Sequence, residues 1–131
     1  MKKQDIELDV FTTAIEGGIN YWAEIVAYKW DRAKWYAEII ERGAGPDSTP
    51  GRHRIDREVI RRGMQVLASE TDESREANRI DHGSLHAKLS FALATVVASG
   101  FTMIGALEDL LDADTADMVV QAGLFGEVVY G

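Results

Sequence analysis

Residues Leu89 to Leu107 (LSFALATVVASGFTMIGAL) run for nineteen positions without a charged side chain. A stretch that long and apolar has two outlets: it spans a bilayer, or it is buried by the rest of its own molecule. Ser90, Thr95, Ser99, Thr102 and two glycines lie inside it, and its flanks lack Trp or Tyr anchors and a basic cluster. Those features favour a buried helix, broken at Ser99-Gly100 and followed by another short one. Membrane association through 89–107 stays open as an alternative. A small domain struggles to cover so much apolar surface alone, so the chain is expected to form a homo-oligomer.

With 131 residues the chain has the size of one domain, 1–131, able to build a core without staples. There is no cysteine, which removes disulfides and thiolate chemistry and suits a reducing compartment. MKKQDIELDV at the start has two lysines with no apolar run behind them, so no secretory signal is expected. A net charge of −8 argues against nucleic acid and anionic membrane as partners. The charge is also segregated. RHRIDREVIRR carries Arg52, Arg54, Arg57, Arg61 and Arg62, whereas the chain from Leu89 onward has acidic residues and no Lys or Arg. Such lopsidedness can guide docking or self-association.

Ile6, Val10 and Ala14 recur at four-residue spacing beside Phe11 and Ile15, predicting a first helix stopped by Gly17-Gly18 in a left-handed turn. Asn20 to Trp30 is rich in aromatic and β-branched residues and reads as a strand. KWYAEIIER would pair with it as a hairpin, although a helix through Asp31–Glu41 fits the composition too. GAGPDSTPG (Gly43–Gly51) is a loop. A short strand around His53–Ile55 follows, and then a helix with Asp56 as N-cap and Ile55 and Ile60 as a staple. Ser69 to His82 reads as solvated. Near the end Asp114 is the expected N-cap, and Asp117 would favour the first turn of the last helix through its dipole. The tail Val128-Val129-Tyr130 would dock as an edge strand or on the first helix. The fold class is therefore α+β: an N-terminal helix, a β-hairpin, then three to four helices including one highly apolar buried helix.

Two segments, TTAIEGGINYW (Thr12–Trp22) and TADMVVQAGLFGEVVYG (Thr115–Gly131), resemble the two ends of an uncharacterised family of small phage and prophage proteins. The middle of the chain has no counterpart in that likeness. The resemblance implies a phage or prophage origin, the host bacterial cytoplasm as location, and an accessory role that modulates or inhibits a host protein. It implies no catalytic residue.

Three groups of residues could bind something. Glu16, Asn20, Tyr21 and Trp22 flank the glycine pair, where a ligand could approach backbone and stack on the aromatic rings, unless those rings fill the core. Arg57 and Arg61 share a helical face, with Arg54 and Arg62 nearby, a set suited to a phosphate-bearing small molecule or an acidic protein surface. The alternative is that Asp56, Glu58 and the acidic C-terminal third neutralise them. His82 and His86, with Asp81, have zinc-like spacing but straddle Gly83-Ser84, so no metal site is assigned. Cofactors and enzymatic activity are not expected, because no nucleophile elbow, Walker loop or dinucleotide fingerprint is present. The leading expectation is a non-catalytic protein that binds a host protein through these side chains. The second is a nucleotide-sequestering protein using the arginines and Tyr21, Trp22 or Trp30.

Overall fold

The computed structural model describes residues 5–31, 34–42, 51–70 and 85–130. The chain opens with helix α1 (Ile6–Thr13), whose amides are capped by Asp5: the Leu8 N–H donates to its carboxylate at 3.2 Å. The four-residue spacing read in the sequence is the buried stripe, Ile6, Val10 and Ala14 with Phe11 beside it. The stop differs from expectation. Ala14–Gly18 widen into a π turn, and neither Gly17 nor Gly18 has a positive φ. Gly18 is needed for closeness, since a Cβ there would lie 2.7 Å from the Ala113 carbonyl oxygen.

Strands β1 (Ala23–Lys29), β2 (Tyr36–Glu41) and β3 (Arg52–Asp56) form an antiparallel sheet in that order, so the expected hairpin is two-thirds of a three-stranded sheet. The helical alternative over 31–41 is corrected over 36–41. Ala37 and Ile39 are fully buried while Glu38 between them is not, a period of two that suits a strand paired on both sides. Pairing thus overrides the helix propensity of Ala, Glu and Lys. In the β1–β2 ladder Ile25 faces Ile39 and Tyr28 faces Ala37, with a bulge at Val26 between them. Ile25 and Tyr28 therefore share the helix-covered face, and Phe11 of α1 stacks on Tyr28 and packs against Trp35 at 4.4 Å. Glu24, Ala27 and Lys29 lie on the other face, with Glu38 and Arg54.

Asp56 ends the sheet and caps α2 (Arg57–Ala68), accepting the Val59 N–H at 3.1 Å; Ile55 and Ile60 on either side are both fully buried. The uncharged stretch divides where the sequence suggested. Helix α3 (Leu85–Ala98) ends at Ser99, Gly100 and Phe101 both take positive φ, and α4 (Gly105–Leu110) follows. Its interior Ser90 is satisfied by donating to the Leu67 carbonyl of α2 at 2.6 Å. No helix of the described residues is long and apolar enough to cross a membrane.

The last helix, α5 (Ala113–Phe125), begins two residues earlier than expected: Asp112, not Asp114, is the N-cap, in a reciprocal capping box with Thr115. It crosses α2 at backbone contact. A Cβ at Gly63 would sit 1.9 Å from the Val119 carbonyl oxygen, and one at Gly123 would sit 2.1 Å from that of Val59. The loop expected over 43–51 falls outside the described residues except for Gly51, and so does most of the solvated run to His82.

Candidate functional site

The arginines are brought together, but around carboxylates from an unexpected quarter. Arg57 donates to both oxygens of Asp5 at 2.9 and 2.6 Å and to Glu7 at 2.8 Å; Arg61 grips Glu7 at 2.7 and 3.0 Å. Asp56, Glu58 and the C-terminal third do not neutralise this pair; the N-cap Asp5 and the first-turn Glu7 of α1 do. Only the Glu7 side chain is deeply buried, 7% exposed, with a guanidinium on each side. Hydrogen bonding to Arg57 holds the Asp5 carboxyl below its usual 3.8; the bonds to Asp5 raise the Arg57 guanidinium in turn, and those to Glu7 raise that of Arg61. These residues, with Ile6, Gly100 and Phe101, line a half-open cleft of about 500 Å³. Two guanidiniums facing two carboxylates leave it neutral, and an incoming phosphate would have to displace Asp5. Arg54 lies 4.0 Å over the Tyr36 ring on the outer sheet face, and Arg62 donates to the Gly123 carbonyl at 3.1 Å. Neither joins Arg57 and Arg61.

The glycine-aromatic group is also divided. Glu16 is exposed on the π turn, and the Asn20 carbonyl accepts from Arg42 Nε at 2.6 Å. Tyr21 and Trp22 turn the other way, onto Asp117: the phenol donates at 2.5 Å and the indole N–H at 2.7 Å. Asp117 is buried and functions as a polar anchor for α5, not as a first-turn dipole partner, and Gln121 Nε2 donates to it at 2.9 Å. Gln121 Oε1 accepts the amides of Val129 and Tyr130 at 2.8 and 2.7 Å, so the tail is held by a side chain and not by strand pairing. Tyr130 stacks on Trp22 at 5.0 Å and hands its hydroxyl to Glu41, which also meets His53 at 2.9 Å. The two stretches that carried the family likeness are thus two halves of one internal contact, and Trp22 is occupied within the fold.

A surface that the sequence reading passed over lies on β1. Among the described residues this strand pairs with β2 alone, so its outer row of backbone N–H and C=O groups faces outward. Val26, Tyr28 and Trp30 are 42%, 51% and 50% exposed along or just beyond it, although the other two tryptophans are nearly sealed. The signal was present as apolar residues on both faces of one short strand. Without the sheet order it could not be told that this strand stands at a border. The His82–His86 pairing lies outside what the structure describes, apart from the backbone of His86 in α3. Among the described residues no three His, Asp or Glu side chains are grouped to hold a metal. No protein-family model matches the chain, and comparison with curated proteins and with solved structures finds no significant match to either.

Proposed function

We propose that the chain is a non-catalytic protein-binding module whose working surface is the β1 border, and that its partner is a host protein, as the phage-like end segments imply. The observation that carries this reading is the row of half-exposed apolar side chains, Val26 and Tyr28 on the outer strand of the sheet and Trp30 just beyond its end. Strand addition gives affinity through main-chain hydrogen bonds, and the exposed aromatics add anchors that lose water on binding. Phosphate capture by the arginines has less support, because Asp5 and Glu7 already pair with and neutralise the Arg57 and Arg61 guanidiniums. The test is photo-crosslinking in bacterial cells with benzoylphenylalanine at Val26 or Trp30, and at exposed Asp109 as a control. Adducts to a defined foreign protein at the β1 positions and not at 109 are expected. Equal labelling at all three positions, or none to foreign protein, would overturn the reading.

A further inference from the structure

The charges and the bulge of β1 together name one partner for this border. Glu24 and Lys29 stand near its two ends, both exposed, and neither has an ion-pair partner among the described residues. In an antiparallel pairing of two copies of β1 about a two-fold axis, one register sets Glu24 opposite Lys29 of the other copy, and Lys29 opposite its Glu24. The same register sets Ile25 against Tyr28, Val26 against Ala27, and Ala23 against Trp30. We propose that a second copy of this chain pairs there, joining two three-stranded sheets into one of six strands.

The bulge makes this register geometrically special. In a regular strand, residues an odd number apart lie on opposite faces, so Glu24 and Lys29 could not both face the same way. The extra residue at Val26 resets the alternation. Glu24 and Lys29 both lie on the outer face, and Ile25 and Tyr28 both lie on the helix-covered face. Two-fold pairing about an axis perpendicular to the sheet therefore keeps helices with helices and charge with charge.

Neighbouring registers fail on one count or the other. A slip by one residue either way puts Ile25 opposite Ala27 or opposite Lys29, mixing the two faces. A slip by two puts Glu24 opposite Asp31, or leaves Glu24 and Lys29 facing uncharged residues. A bulge and a lysine usually protect a sheet border from indiscriminate pairing; here they leave one pairing open.

This inference rests on reading the β1 border as the working surface, and it adds that self-pairing and engagement of another protein exclude each other. Sedimentation of the full chain tests it. The wild type is expected at twice the mass of one chain. Glu24→Lys and Lys29→Glu each place like charges opposite one another twice, and each should weaken the dimer about 10- to 100-fold. Mixing the two single variants restores both Glu–Lys pairs and should restore the dimer, as should the double exchange. Circular dichroism checks that the single variants stay folded, and the emission of Trp30 should shift to the red as the wild type is diluted. A monomeric wild type, single variants as dimeric as wild type, or a mixture that stays monomeric would each overturn it. The two readings fail separately. A monomer that still crosslinks to foreign protein from Trp30 refutes self-pairing alone. A dimer that obeys the charge exchange but yields only self-adducts refutes the host-protein reading alone.

Discussion

At Gly63 the backbone of α2 passes so close to that of α5 that a single added carbon would overlap the Val119 carbonyl. Main chain cannot swing aside as a side chain can, so Gly63→Ala must push two helices apart. We expect a loss near the upper end for overpacking, about 3 kcal/mol, and a fall in Tm of about 10 °C. Gly17→Ala is the contrast: nothing lies within 4 Å of its Cβ position and its φ is not positive. There the smaller entropy of the unfolded chain should leave stability unchanged or raised by about 0.5 kcal/mol. Thermal melts of both variants check this, and equal melting temperatures would show that the crossing can relax. Sequence alone could place Gly123 on an apolar helix, but not reveal that it meets Gly63, because close approach depends on which helices cross. Asp117 was hidden for a related reason. An aspartate near a helix start ordinarily serves the helix dipole, and only the folded chain brings Tyr21 and Trp22 from ninety-odd positions away to bond it.

Among the elements, those defined by their own residues were legible and those defined by partners were not. The stripe of α1, the Asp56 cap and the break after Ala98 all follow from local pattern, and each stands where the pattern put it. The choice between strand and helix over 31–41 hung on pairing with β1 and β3, which local composition does not contain. The tail is the clearest case. It reads as a strand, yet its amides are taken by one side chain, Gln121, which spans Val129, Tyr130 and Asp117. Gln121→Ala should therefore free the tail and leave Asp117 with one donor fewer, at a cost of about 2 to 4 kcal/mol. Hydrogen exchange gives the specific reading: the Val129 and Tyr130 amides should lose protection while the β2 amides keep most of theirs. Unchanged protection of the tail would mean that the stacking of Tyr130 on Trp22 holds it without Gln121.

For the whole molecule, charge segregation was plain in the sequence but its resolution was not. The alternative partners for the arginines were Asp56, Glu58 and the acidic C-terminal third; Asp56 does meet Arg54 at 3.8 Å, but Arg57 and Arg61 are closed by Asp5 and Glu7 from the other end of the chain. That closure sets how stability depends on pH. The folded chain holds Asp5 below 3.8 through Arg57, and Glu41 below 4.5 through Tyr130 and His53. As pH falls below about 4.5 the unfolded chain takes up protons first, so stability is present above that range and lost on descending through the folded values. The alkaline side runs the opposite way. Partial burial and the bond to Asp117 push Tyr21 up to about 12, and the bond to Glu41 raises Tyr130 above 10.0. The unfolded phenols ionise first, so stability is intact below about pH 10 and drains away as pH rises toward 12. The Tyr21 ring is half exposed, and solvent there softens the effect. Urea midpoints measured across pH should thus stay level between these limbs. Tyr21→Phe should lower the plateau, by losing the Asp117 bond, and flatten the alkaline limb relative to wild type. If the variant keeps the wild-type slope above pH 10, the coupling of Tyr21 to buried Asp117 is not what shapes that limb, and Tyr130 on Glu41 is left to carry it.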